Sequence, residues 1–366
     1  MSEFYVGLIS GTSMDGIDAV VVDFSYRTPR VLGPSTRPFD SAIQQQLDQL
    51  RQEPDRFALA DLGRLDALLG NALAEAALLV IESCGLMPED IAAIGSHGQT
   101  VLHRVDAAPP HTLQIGDPSR IAEITGVTTV ADFRRADVAA GGQGAPLAPL
   151  IHAAMLGQDG ERRAVINLGG IANITLLIDH AIQAGFDSGP ANCFLDLWYR
   201  RHHPDRFDHQ GQWASNGTID EAWLHQLLDD PYFDKPPPKS TGIEYFSTRW
   251  LEHCLPPWAK DRPQDIQATL AEFSARSLAA PLSDIKLDRV LICGGGVHNH
   301  DMVRRISSHL NGLPIEATDG HGLPADHVES VLFAWLAAQR LAGVRLATAP
   351  VTGAVKSVCL GAIYSA

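Results

Sequence analysis

Hydrophobic positions fall in short runs broken by glycine-rich polar turns, and the first run sets the pattern. Tyr5-Val6-Gly7-Leu8-Ile9 is apolar, residues 10–16 are polar and carry glycine, and residues 17–24 are rich in valine. Together they predict a β-hairpin. Leucines near every 3.6 positions predict a long helix over 58–84. A short strand over 91–94 runs into Gly95-Ser96-His97-Gly98-Gln99-Thr100, and one over 127–131 into Asp132-Phe133-Arg134-Arg135. Small residues at 139–146 mark a lobe boundary. The opening pattern then returns: Ala164-Val165-Ile166-Asn167-Leu168 enters a turn at Gly169-Gly170, and residues 174–178 run back out.

Two strand–turn–strand units, one opening each half of the chain, predict two lobes of like topology. The remaining pattern predicts a helix over 265–282 and a strand over 289–293 entering Gly294-Gly295-Gly296. Helices over 300–310 and 328–341 follow, and residues 351–364 return to the first lobe. Strands alternating with helices define an α/β class. The expected boundaries are 1–140, completed by 345–366, for the first lobe and 141–344 for the second. Three prolines at 236–238 predict a rigid surface loop in the second half.

Composition narrows the function classes. With 366 residues and 45% of them hydrophobic, the chain has ample material for a packed core. Its 28 Lys+Arg against 43 Asp+Glu give a formal charge of −15, which excludes general nucleic-acid binding and polybasic membrane attachment. No apolar run reaches the ~18–20 residues of a spanning helix, and residues 1–6 lack the regions of a signal peptide. The five cysteines are scattered without a C-x-x-C pair, which excludes a disulfide framework. The expectation is a soluble cytoplasmic protein with reduced thiols.

Lysine usage is more telling. The chain has five lysines, the first at Lys235. A P-loop or protein-kinase lysine is therefore missing from the whole first half. Phosphate chemistry at the N-terminal turn must use amides, hydroxyls, arginine or a metal ion.

Four segments carry candidate chemistry. Gly11-Thr12-Ser13-Met14-Asp15-Gly16-Ile17-Asp18 offers glycine backbone and hydroxyls to phosphate, with Asp15 or Asp18 available to Mg²⁺; an ordinary hairpin loop is the plain alternative. Gly185-Phe186-Asp187-Ser188-Gly189-Pro190-Ala191-Asn192 sets a carboxylate among glycines, where Asp187 or Asn192 would also serve as a helix cap. Gly294-Gly295-Gly296 allows close approach of a flat ligand, or simply a tight turn. Asn167, Gly169 and Gly170 repeat the first turn in the second lobe. Histidines lack zinc-protease spacing and no serine sits in a G-x-S-x-G elbow, so a catalytic zinc and a serine hydrolase are both rejected.

Two glycine-turn hairpins and a late strand–triple glycine–helix together resemble the phosphate, phosphate and adenosine elements of the actin, Hsp70 and sugar-kinase superfamily. Within it, the chain closely resembles the anhydro-N-acetylmuramic acid kinase family. The matching segments are those at 11–18, 95–100, Gln114-Ile115-Gly116-Asp117-Pro118, 131–135, 139–146, 167–170, 185–192, 294–296 and Phe333-Ala334-Trp335-Leu336-Ala337. Ala191 replaces the family's usual glycine.

The resemblance implies a two-lobed actin-like (ribonuclease H-like) fold with the active-site cleft between lobes. It also implies a reaction of bacterial peptidoglycan recycling. ATP with Mg²⁺ phosphorylates O6 of 1,6-anhydro-N-acetylmuramic acid while water opens the 1,6-anhydro bridge, giving N-acetylmuramic acid 6-phosphate. Asp187 matches the family's general base. Arg134 and the amides of the first turn would face phosphates, and His97, Asp132, Arg134 and Glu329 are candidates for the sugar. For Glu329 a solvated helix-start carboxylate is the alternative. The metal ligands are left open, and the resemblance leaves room for a homodimer. A kinase for a plain anhydrosugar such as levoglucosan, or a non-catalytic ATP-dependent binding protein, are the competing readings.

Overall fold

Strands β1 (Phe4–Ser10) and β2 (Gly16–Asp23) form the opening hairpin, antiparallel, as the pattern predicts. A computed structural model describes residues 3–11, 14, 16–26, 29–237 and 239–366 of the chain. Beyond β2 lies β3 (Arg30–Pro38), an edge strand that the sequence reading missed. It carries Pro34 and Pro38, and proline is tolerated at an edge because it has no N–H to give a ladder.

On its other side β1 pairs parallel with β4 (Ile91–Arg104), which pairs antiparallel with β5 (His111–Ile115) and parallel with β6 (Thr129–Ala131). β4 runs 14 residues, so 95–100 is strand and not the loop expected after 94. The glycines there serve packing. A Cβ at Gly7 would stand 1.8 Å from the Ser330 carbonyl oxygen, and one at Gly95 1.9 Å from that of Phe333. Helix Val328–Leu341 lies directly on β1 and β4 at these two points. Side chains alternate across a strand, so Val6 and Leu8 point the other way, into a core with Leu73, Ala77 and Val80 of helix Leu59–Ser83.

The second half repeats the plan. Strands β7 (Arg162–Leu168), β8 (Ile171–Ile178) and β9 (Ala181–Pro190) are antiparallel. β10 (Arg289–Cys293) pairs parallel beside β7, and β11 (Ile315–Ala317) parallel beside β10. The order β9-β8-β7-β10-β11 thus copies β3-β2-β1-β4-β6, with the same strand senses. This is the duplicated α/β plan expected of a ribonuclease H-like, actin-like chain. Helix Pro263–Ala279, buried along nearly its whole length, backs the second sheet. The C-terminal β12 (Ala362–Tyr364) closes the first sheet against β6.

The two compact units are Met1–Ile151 with Gly322–Ala366, and His152–His321. The expected boundaries need correction at both ends. Helix Val328–Leu341 was assigned to the second lobe but packs on β1 and β4 of the first. Segment 139–146 also stays with the first unit. Gly144 N donates to Asp137 Oδ2 at 2.7 Å, Gly144 O accepts from Arg134 Nη1 at 2.9 Å, and Gln143 N donates to Thr352 O at 2.8 Å. The alternative of a helix cap at 185–192 is not realised: residues up to Pro190 finish β9, Asp187 lies within that strand, and helix Asn192–Arg200 has no side-chain bond at its cap, Ala191.

Candidate active site

In the second unit the sheet aligns three polar residues. Asn167 on β7 pairs with Asn173 on β8, which pairs with Asp187 on β9. Asn173 Nδ2 donates to Asp187 Oδ1 at 2.8 Å. The other oxygen, Oδ2, accepts from Ser240 Oγ and from the Thr241 amide, each at 2.9 Å. The backbone is held as well: Asp187 N donates to Lys239 O at 3.0 Å, and the Tyr232 hydroxyl donates to Asp187 O at 2.7 Å. Burial raises the Asp187 pKa against the pull of these donors, and Glu244 raises it further. The result is an oriented carboxylate with more proton affinity than an exposed aspartate.

The glycine turns of this unit gather beside that row. Asn192 Nδ2 donates to Leu168 O at 2.9 Å and to Gly169 O at 2.8 Å, and the Asn192 and Cys193 amides donate to Gly169 O and Gly170 O. These bonds fix the β7–β8 turn on the N-terminus of helix Asn192–Arg200. Gly294 has a φ of 80° and sits where a Cβ would come within 2.2 Å of Asn167 Oδ1, so no other residue fits. Gly296 is equally tight, with 2.5 Å to Leu168 Cβ. Gly295 faces open space, with nothing within 4 Å of a Cβ placed there. A backbone left uncovered between two packed glycines can admit a nucleotide.

The first unit holds a second cluster. In the β1–β2 turn the Met14 amide donates to Gly11 O at 3.2 Å, and Gly11 is open on its outer side. Thr12, Ser13 and Asp15 lie outside the described residues. Gly16 and Ile17 serve the sheet: a Cβ at Gly16 would meet Arg37 O at 2.5 Å, and Ile17 is in the core. Asp18 Oδ1 accepts from Thr36 Oγ1 at 2.6 Å.

Arg134 Nε donates to His97 Nε2 at 2.8 Å, so His97 carries its proton on Nδ1 and gives it to Gly98 O at 2.9 Å. Burial, then the neighbouring guanidinium, hold the His97 pKa well below the usual range. The ring is a fixed neutral group packed on Phe333. Solvent reaches Glu329, yet the protein crowded around it raises its pKa, with Arg134 pulling it down and Asp18 pushing it up. His97, Arg134, Glu329 and Asp18 therefore form one constellation. Asp132 stands apart in role: with φ 61° its carboxylate accepts from the Tyr364 hydroxyl at 2.6 Å and pairs with Arg135 at 3.2 Å.

The family model for anhydro-N-acetylmuramic acid kinase matches residues 3–366 of the chain. The anhydro-N-acetylmuramic acid kinase of Xanthomonas campestris pv. campestris (strain 8004) is 49% identical over 370 residues, covering 100% of this chain and 98% of that protein. The enzyme of the same name from Coxiella burnetii (strain Dugway 5J108-111) is 44% identical over 366 residues, covering 99% and 97%. The chain belongs to the anhydro-N-acetylmuramic acid kinase family. It is an enzyme, a phosphotransferase of amino-sugar metabolism, and the alternatives of a plain anhydrosugar kinase or a non-catalytic binding protein are not favoured. Among solved structures it is also similar to the activator of the 2-hydroxyisocaproyl-CoA dehydratase from Clostridium difficile with bound ADPNP. That likeness is 13% identity at a TM-score of 0.45, covering 93% of this chain and 97% of the other.

For this kinase, the sequence motifs pointed to Asp187, the two turns of the second unit and the His97–Arg134–Glu329 group. They missed Asn173, Tyr232, Ser240 and Thr241, which hold Asp187. Asn173 was within reach of the sequence, since it stands three residues past Gly170, at the start of the strand leaving the second turn. The loop residues were not, because Ser240 and Thr241 stand 53 and 54 positions from the carboxylate they bind.

Proposed function

We propose that the chain uses ATP and Mg²⁺ to phosphorylate O6 of 1,6-anhydro-N-acetylmuramic acid with hydrolytic opening of the 1,6-bridge, as a cytoplasmic enzyme of peptidoglycan recycling. The observation that carries this reading is the Asp187 carboxylate. It is oriented by Asn173, Ser240 and Thr241, and burial raises its proton affinity.

Water is a poor nucleophile until a base takes its proton. Asp187 accepts that proton as the water oxygen bonds to the anomeric carbon. The bond from that carbon to O6 breaks, O6 takes the γ-phosphoryl group, and ADP leaves. Asp187 then returns the proton to solvent. Asn173 and the 240–241 segment keep the carboxylate aimed throughout.

The uncovered backbone at Gly11 and Gly295, and the turn at Gly169 and Gly170, fit the phosphates and nucleoside of ATP. Asp18, near the start of β2, and Asp15, close to it in sequence, are the carboxylates that would hold Mg²⁺, which takes one or two carboxylates plus phosphate oxygens. When bound, the ion offsets phosphate charge. The sugar falls to His97, Arg134 and Glu329. Arg134 supplies fixed positive charge, and Glu329 can accept from hydroxyls. Asp132 is instead engaged by Tyr364 and Arg135.

Mass spectrometry of products from anhydro-N-acetylmuramic acid, ATP and Mg²⁺ tests the reaction, with levoglucosan as control. The proposal expects an N-acetylmuramic acid phosphate, heavier than the substrate by one water and one phosphoryl group. Phosphorylation of levoglucosan alone would refute it.

A further inference from the structure

The triple proline at 236–238 is flanked by two of the chain's five lysines, Lys235 and Lys239. Both lysines, with Pro237, line a cavity of about 660 Å³ in the second unit. Its apolar wall includes Phe233, Ala279 and Pro281, and Arg276 and His309 add to its basic side. Among the described residues no aspartate or glutamate lines it, although the chain has 43 acidic side chains against 28 Lys+Arg.

Arg276 is paired with Glu221 at 2.8 Å and Glu272 at 2.9 Å, and His309 with Glu272 at 2.7 Å. Among the described residues neither lysine forms an ion pair, and Asp234 acts on Lys239 only at longer range. Lys239 Nζ donates to the carbonyls of Tyr232 and Phe233, each at 3.3 Å. Lys239 Nζ lies 4.7 Å, and Lys235 Nζ 5.6 Å, from the centre of the Tyr232 ring.

We propose that this cavity binds a small organic anion with an apolar body, and that its occupancy acts on the segment holding Asp187. The link is covalent and short. Lys239 O accepts from the Asp187 amide, the next two residues hold the Asp187 carboxylate, and Tyr232, under both ammonium groups, holds the Asp187 carbonyl. An anion that drew the lysines toward itself would shift the frame of the carboxylate. The binding claim stands on the cavity alone; only the effect on turnover rests on Asp187 being the base.

The fluorescent probe 8-anilinonaphthalene-1-sulfonate has this chemistry, and N-phenyl-1-naphthylamine is its counterpart without the charge. Saturable one-to-one binding of the sulfonate to the full chain is expected. Lys235→Glu, which reverses a charge, and Ala280→Trp, which fills the cavity from an exposed lining position, should each weaken it at least ~10-fold without lowering the thermal midpoint. The neutral counterpart should bind at least ~10-fold more weakly than the sulfonate. Saturating sulfonate should change kcat of the wild type and leave Ala280→Trp unaffected. No binding to the wild type, equal affinity in either variant, or equal binding of the neutral counterpart overturns the site. Binding without a change in kcat overturns the coupling. Wild-type turnover in Asp187→Asn would sink the base assignment instead, while the affinities still judge the cavity.

Discussion

On the proposed reading Asp187 is the general base, and its surroundings make that role measurable. An amide at this position keeps the shape but cannot take a proton from water. Asp187→Asn should therefore lower kcat by at least ~10²-fold, the low end of general-base contributions, with little change in substrate affinity. Near-normal turnover in folded protein would contradict this. The carboxylate must be ionised to act, and its pKa is raised by burial, so turnover should fall on acidification above the usual carboxylate range. Ser240→Ala removes a donor that favours the ionised form. Its acid limb should move to higher pH, a shift that mere loosening of the loop would not cause. His152 offers a separate test, of stability. It is fully buried, with a pKa lowered to about 3 by desolvation. The unfolded chain takes a proton near pH 6.5 and the folded one does not, so stability falls as pH drops from about 6.5 toward about 3, by up to ~1.4 kcal/mol per pH unit. Calorimetry between pH 7 and 5 should show a shallower fall in His152→Gln; parallel profiles would count against it. The motif around Asp187 was readable in the chain because its residues are contiguous. Its donors at 240 and 241 were not, since no periodic pattern links residues brought together only by folding.

At the scale of elements, glycine carried two meanings that the sequence could not separate. Gly95 read as the start of a loop, yet it lies inside a long strand because helix Val328–Leu341 presses on it. Gly294 and Gly296 read as a tight turn and are one, packed against Leu168 and Asn167. Hairpins, the long helix and the β10 turn were legible from apolar runs and 3.6-residue spacing. β3 was hidden by its prolines, and β5 by its shortness. The distinction can be tested by substitution. Gly7→Ala should lower stability by ~1–3 kcal/mol or more through overpacking against Ser330. Gly295→Ala has open space around it and should leave the thermal midpoint unchanged while weakening ATP binding. Equal ATP affinity in Gly295→Ala would remove that turn from the nucleotide site, and a stable Gly7→Ala would contradict the close approach of the helix.

For the whole molecule, the duplicated sheet order and the family membership agree. Phosphates and sugar hydroxyls must be handled by a chain of charge −15, so turnover should depend on added Mg²⁺. EDTA should abolish it and Mg²⁺ restore it, whereas full activity in EDTA would exclude the divalent ion. The central claim is that water attacks the sugar and not the phosphate, while O6 becomes the phosphoryl acceptor. Turnover of anhydro-N-acetylmuramic acid with ATP in ¹⁸O-labelled water, followed by fragment mass spectrometry of the product, reads this directly. The label is predicted on the anomeric oxygen, with none in the phosphoryl group. Label in the phosphate, with the anomeric oxygen unlabelled, would contradict the account.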